Sequence, residues 1–209
     1  MIRALFEKSR HEGTFPLRQG VFVAVAGPSG SGKDSVLAYA RSRLGRLERD
    51  IVFARRVITR PSDPGDEEHD TVSKAKFERL EAAGSFALAW RANGLCYGLP
   101  AVLDEEMRQN RVVVANVSRA VIEEIGKRYA NVIPVIISAP REVLAARLAS
   151  RGRETRRAVL ARLARGSTNE LAVAGALEID NSGPLEIAGD RFLELLRRAA
   201  ARSDVCDTL

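Results

Sequence analysis

A glycine-rich turn ending in lysine, Gly27-Pro28-Ser29-Gly30-Ser31-Gly32-Lys33, stands between an apolar, β-branched run and a helical pattern. The spacing G-x-x-x-x-G-K serves one kind of chemistry. The loop must wrap an anion so closely that its backbone N–H groups point inward, a geometry that side chains would obstruct. Gly27, Gly30 and Gly32 supply the freedom, with Pro28, Ser29 and Ser31 completing the cradle. Lys33 then sets a point charge between the outer phosphates, and the following helix adds unsatisfied N–H groups and its positive dipole end. The ligand this implies is a nucleoside triphosphate. The competing reading, a Gly/Ser-rich turn with a solvated lysine, is disfavoured by the strand before it and by Val36, Leu37 and Ala40 on one side of the helix after it.

After the lysine, where such loops usually carry Ser or Thr to bind Mg²⁺, this chain has Asp34, and the hydroxyl follows at Ser35. A carboxylate beside a triphosphate is repelled unless a divalent cation lies between them. Asp34 is therefore predicted to face magnesium, directly or through water, with Ser35 near it.

Further groups fall at the ends of other apolar runs. Thr59-Arg60-Pro61 closes one of them, and Arg60 can clamp a phosphate with two parallel hydrogen bonds or be a surface arginine at a strand end. The run Val112 to Asn116 ends in an amide where a P-loop enzyme commonly places a magnesium-binding aspartate, and Ser118-Arg119 follow. An amide and a hydroxyl suit ring hydroxyls or phosphate oxygens better than a bare metal, and local hydrogen bonding at a strand end is the alternative. With Asp34 in the loop, one reading is that the metal-associated carboxylate has shifted there from the strand. Asn181-Ser182 end the last run and can hold phosphate, hydroxyl or a nucleotide base. Arg147, Arg151, Arg153, Arg156, Arg157, Arg162 and Arg165 crowd one segment. Such runs form solvated helix faces, to which Arg156 and Arg157 are assigned. Arg151, Arg153 and Arg162 flank a glycine and could form a lid that carries charge to a transferring phosphoryl group. The acidic loop around Asp66, Glu67, Glu68 and His69 is assigned no metal.

These groups need a scaffold. Apolar runs at 21–26, 51–58, 111–117, 132–137 and 177–180 alternate with helical patterns at 33–44, 73–83, 101–109, 119–128, 140–150, 154–165 and 185–202. The alternation predicts an α/β fold with a five-stranded parallel sheet and helices on both faces, which places ligands beyond the carboxyl ends of the strands. Between Ala83 and Pro100 the pattern changes to short apolar runs around Asn93-Gly94, predicting a small antiparallel insertion with a tight hairpin. The expected organisation is a short N-terminal arm over 1–20 and a single domain over 21–209.

The 209 residues carry a net charge of +6, drawn largely from arginine. With no basic tail, aromatic-interleaved strand pair or zinc pattern, small-molecule phosphate is favoured over nucleic acid. The first twenty residues resemble neither a secretion signal nor a membrane span, and two cysteines far apart, Cys96 and Cys206, suit a reducing cytoplasm. Nothing in the pattern reports the oligomeric state.

GPSGSGK, the ITRP after the second run, the NGLCYG hairpin and RLASRGRE together resemble the guanylate kinase group of P-loop phosphotransferases, from Val21 onward. GPSGSGKDS, ITR, WRANGLCYG, NVSRA, RLASRGRE and ARLAR resemble more closely the branch that phosphorylates ribose 1,5-bisphosphate. The resemblance implies ATP and Mg²⁺ as cofactors and phosphoribosyl pyrophosphate as product, in bacterial phosphonate breakdown. It implies Lys33 on the ATP phosphates, Asp34 and Ser35 near magnesium, a lid over about 147–166 supplying Arg151, Arg153 and Arg162, and an acceptor region over about 59–100. Arg60, Tyr97, Asn116, Ser118 and Arg119 would hold the acceptor, with Tyr97 open to a second reading as a core aromatic. Where guanylate kinases carry a second phosphate-binding arginine and a tyrosine, this chain has Asp63 and His69, and their aspartate pair at the central strand is replaced by Asn116 and Ser118. These departures disfavour GMP as acceptor. A nucleoside monophosphate kinase and a catalytically inactive guanylate-kinase-like binding module are the rivals, the latter disfavoured by Lys33 and the lid arginines. A nucleic-acid-binding ATPase is third.

Overall fold

In a computed structural model, residues 16–60, 69–150 and 173–205 are described. The apolar run Val21–Ala26 forms β1, and all six of its residues are buried. Its two sides serve two cores. Val21, Val23 and Val25 pack with Val36, Leu37 and Ala40 of helix α1 (Lys33–Arg41) and with Phe192, Leu196 and Ala199 of the last helix, α6 (Leu185–Val205). Phe22, Ala24 and Ala26 pack with Leu103 and Met107 of α3 (Leu103–Arg108) and Ile122 and Ile125 of α4 (Ile122–Arg128). A strand apolar on both faces is what a parallel sheet between two helical layers requires.

The sheet has the order β2-β7-β1-β8-β9, with β2 at Ile51–Phe53, β7 at Val112–Asn116, β8 at Val132–Ser138 and β9 at Leu177–Asp180. Every pairing in it is parallel. The expected five-stranded parallel sheet is therefore present, with one of its strands shorter than expected. The run 51–58 is two strands, not one. Ala54 still donates its N–H to Val114 O at 2.8 Å, and the chain then leaves for a second sheet as β3 (Arg56–Ile58). Both halves bury apolar side chains and no glycine or proline marks the break, so periodicity alone does not show it.

The second sheet has the order β4-β3-β6-β5, with β4 at His69–Thr71, β5 at Phe86–Ala92 and β6 at Leu95–Pro100. β5 and β6 form the predicted hairpin, turning at Asn93 (φ 50°) and Gly94 (φ 75°), both left-handed as the tight turn demands. The insertion is larger than the small antiparallel unit expected, because β3 adds antiparallel to β6 and β4 adds parallel to β3. Helix α2 (Lys74–Ala82), capped by the Ser73 hydroxyl accepting from Lys76 N–H, packs Phe77 against this sheet.

The helix expected at 119–128 opens as a 3₁₀ turn, Arg119–Val121, before α4 begins. α5 runs Arg141–Ser150, and the helix expected at 154–165 lies outside the described residues. α3 and α4 are joined below the sheet. Asp104, 1% exposed, accepts from Tyr129 Oη at 2.8 Å and Arg128 Nε at 2.9 Å, with a second contact to the Arg128 guanidinium. Burial and the neighbouring carboxylate push the Tyr129 phenol far above its usual range. On the other face α1 lies on α6. A Cβ at Gly189 would overlap the Tyr39 ring, whose hydroxyl donates to Asp190 Oδ1 at 2.9 Å.

Residues 17–20, the end of the expected arm, bond to the domain: Leu17 N–H donates to Arg128 O at 2.8 Å, and Asn131 Nδ2 donates to Gly20 O at 3.1 Å. Residues 1–15 lie outside the described part. Among the described residues no helix is long and apolar enough to cross a membrane.

Candidate active site

Strand order reverses at β1, with β2 and β7 on one side and β8 and β9 on the other. The crevice at such a reversal is where an open α/β sheet binds ligands, and the loop 27–32 leaves β1 into it. Gly32 caps α1 in the left-handed region (φ 81°), and a Cβ there would overlap Asn181 Nδ2. Gly27 (φ 151°) likewise leaves no room, since its Cβ would overlap Ile137 O of β8. The glycines are thus required both by backbone conformation and by close approach.

Asn181 reaches the loop from the end of β9. It is 3% exposed, its N–H extends the sheet by donating to Ser138 O at 2.8 Å, and its Nδ2 donates to Ser31 O at 2.7 Å. Asn181, expected to touch the ligand, here braces the loop that would. Lys33 lies back along the loop, its Nζ donating to Gly27 O at 3.0 Å and Pro28 O at 3.1 Å. The ammonium is therefore held at the cradle by the cradle's own carbonyls.

Asp34 is in the first turn of α1, where a carboxylate is favoured by the helix dipole. Asn116, at the end of β7 and 4% exposed, donates from Nδ2 to Asp34 Oδ1 at 2.9 Å. An amide donor fixes the carboxylate's orientation without neutralising its charge. Among the described residues no three His, Cys, Asp or Glu side chains cluster as a metal cage. Ser35 is exposed one residue further along α1.

Arg147 belongs to the site, although the arginine run hides it in the sequence. α5 leans on the loop: a Cβ at Gly30 would come within 3.2 Å of Leu144 O and 3.0 Å of Leu148 Cγ, and one at Gly32 within 3.7 Å of Arg147 Nη1. That nitrogen is buried and has no hydrogen-bond partner, so it is aimed at the cradle without a protein acceptor. The available signal was periodicity, since Arg147 stands three residues after the buried Leu144 and shares its face.

On the other side of the crevice the second sheet carries Arg60 and Tyr97. Arg60 follows β3, and its carbonyl accepts from Thr71 Oγ1 at 2.9 Å. Thr59 is consumed by the sheet, its N–H donating to Cys96 O at 3.1 Å and its hydroxyl accepting from Cys96 N–H at 2.9 Å. Tyr97 stacks on Trp90 with ring centroids 5.3 Å apart, and Trp90 is a core residue, 7% exposed. His69 is 5% exposed and stands in β4. Ser118 and Arg119 follow β7 directly after Asn116-Val117, both half-buried. Arg151, Arg153, Arg162 and Asp63 lie outside the described residues.

A phosphate loop at the reversal of a five-stranded parallel sheet, facing an inserted mixed sheet, defines a P-loop phosphotransferase of guanylate-kinase type. The fold agrees: a guanylate kinase from Anaplasma phagocytophilum superposes with a TM-score of 0.60 over 87% of this chain and 86% of that one, at 19% identity. No family model matches the chain. Similarity to curated proteins goes further. A ribose 1,5-bisphosphate phosphokinase PhnN from Chelativorans sp. (strain BNC1) is 69% identical over 207 residues, covering 99% of each chain. One from Brucella melitensis biotype 2 is 46% identical over 185 residues, covering 88% of this chain and 96% of that one. The chain belongs to the ribose 1,5-bisphosphate phosphokinase family.

Proposed function

We propose that the chain transfers the γ-phosphoryl group of ATP to the 1-phosphate of ribose 1,5-bisphosphate, giving 5-phosphoribosyl 1-pyrophosphate and ADP. The observation that carries this is the 69% identity, over 99% of the chain, to a protein named for that substrate. The site chemistry supports it. An oxygen of the acceptor phosphate attacks the γ-phosphorus while the bond to the β,γ-bridging oxygen breaks. That acceptor oxygen is already anionic near neutral pH, so no general base is required. The barrier is the repulsion of two polyanions, which converging cations relieve while holding the partners in line.

Loop 27–32 and the start of α1 bind the ATP phosphates, Lys33 lies against them, and Arg147 adds a guanidinium from α5. Bound magnesium would neutralise charge on the phosphates. Asp34, oriented by Asn116, is the residue that would hold it, with Ser35 beside it. Arg60, Tyr97, Ser118 and Arg119 hold the acceptor, and Asn181 braces the loop. In this reading Arg151, Arg153 and Arg162 supply further positive charge for the transferring group, within a single domain over 21–209. The setting is phosphonate breakdown in the cytoplasm, on a small-molecule substrate.

The test is an assay with ATP and Mg²⁺ in which ribose 1,5-bisphosphate and GMP are offered separately, following ADP and phosphoribosyl pyrophosphate. Turnover with the sugar bisphosphate and not with GMP is expected. Turnover with GMP alone would overturn the assignment, and silence with both from a folded, ATP-binding protein would favour a binding module.

A further inference from the structure

We infer that Arg56 forms a second phosphate subsite on the acceptor side, which takes the 5-phosphate of the sugar while Arg60 takes the phosphate that reacts. This rests on the sugar bisphosphate reading above. A monophosphate acceptor needs one cationic clamp; a bisphosphate carries a second dianion that must be neutralised at a fixed distance from the first.

The sheet supplies the second clamp. Side chains alternate along a strand, so Arg56 and Ile58 share one face of β3, while Val57 points the other way into the core of Val72, Phe77 and Cys96; Arg60 follows in the bend at 59–60 that ends the strand. Tyr97 stands opposite Ile58 in the β3–β6 pairing, and Trp90 opposite Tyr97 in β5–β6. Both aromatics therefore lie on the arginine face. That face is turned toward the parallel sheet, because Trp90 and Tyr97 pack in one cluster with Ala54, Ala115 and Val117 around the end of β7. The Arg56 face thus meets the carboxyl end of β7 on the side of Ala115 and Val117, while Asn116 between them turns to the α1 side and meets Asp34.

Arg56 and Arg60 are four residues apart, at most about 13 Å were the segment fully extended, and the bend at 59–60 brings them nearer. Their side chains can lean along the strand from those positions to the separation of two phosphates across a ribose ring. The guanidinium of Arg56 lies over the Tyr97 ring, 5.8 Å from its centroid. Stacking uses the flat face of the group and sets its plane, and the in-plane fork of N–H donors is the part that grips a phosphate. His69 stands beside Arg56 in the parallel β3–β4 pairing, so the neighbouring strand places another polar side chain on the same face.

The experiment uses the full chain with ribose 5-phosphate and ribose 1-phosphate as competitive inhibitors of bisphosphate turnover, each presenting one of the two phosphates. Arg56→Gln should weaken ribose 5-phosphate and raise the KM for the bisphosphate by about 10- to 100-fold, the loss of a charge-assisted hydrogen bond. It should leave ribose 1-phosphate inhibition and the KM for ATP unchanged. Arg60→Gln should give the reverse pattern with the two sugars. Arg56→Lys, which keeps the charge without the fork, should recover part of the ribose 5-phosphate affinity, and it carries the same comparison if Arg56→Gln does not fold. Equal effects of Arg56→Gln on both monophosphates, no effect on either, or no competition by ribose 5-phosphate in the unsubstituted protein would overturn the subsite while leaving the proposed reaction standing. Absence of bisphosphate turnover by the unsubstituted protein would overturn the reaction, and the subsite with it.

Discussion

At position 34 a carboxylate replaces the hydroxyl that phosphate loops of this pattern commonly carry, and Asn116 holds one of its oxygens from across the crevice at 2.9 Å. The two residues are 82 apart in sequence. Asp34 could be singled out from the sequence because its charge conflicts with a triphosphate; its partner could not, because an amide at a strand end has many local uses. The pair makes a prediction about metal. Asn116→Ala should raise the Mg²⁺ concentration for half-maximal turnover by about 10-fold, the usual penalty for losing an outer partner of a metal-binding group. Asp34→Ser should shift it as well, measured by magnesium titration at fixed ATP. Unchanged metal response in both variants would remove Asp34 from the metal site.

Among the elements, the hairpin at Asn93-Gly94 was legible because only a few residue types tolerate two successive left-handed positions. The break within 51–58 was not, since β2 and β3 are both short, each buries apolar side chains, and no glycine or proline separates them. The α3–α4 junction was equally hidden, being an ion pair between residues 24 apart. It holds a buried charge, so its loss is costly. Asp104→Ala should destabilise the protein by about 3 kcal/mol, read from denaturant unfolding, because Arg128 keeps its charge with its partner gone. The junction also sets an alkaline limit. The Tyr129 phenol is raised above its unfolded value of about 10, so its contribution is fully present below that pH and is lost as the pH rises above it. Tyr129→Phe should be less stable at neutral pH yet lose less on going from pH 9 to 11.

At the scale of the whole molecule, the parallel sheet gathers the phosphate loop, Asn116 and Asn181 at the ends of β1, β7 and β9, while the second sheet carries Arg56 and Tyr97. The sequence showed the first as a row of apolar runs, each ending in polar residues. It underestimated the second, because β4 is only His69–Thr71, too short and polar to read as a strand. Ligands that engage this crevice should stabilise the fold by linkage. ATP with Mg²⁺ at about 100 times its Kd should add about 2.7 kcal/mol and raise Tm by about 5–10 °C, and Lys33→Met should largely abolish the shift in a thermal melt.

The contact of Gly189 with Tyr39 bears on which sequences this fold can reach. Elsewhere in an exposed helix, alanine in place of glycine gains about 1 kcal/mol. Here the gain is forfeited, because the ring on α1 already occupies the space. Two positions 150 residues apart therefore form a steric lock on the helix that starts at the phosphate loop, and a lineage that fills position 189 must first empty position 39.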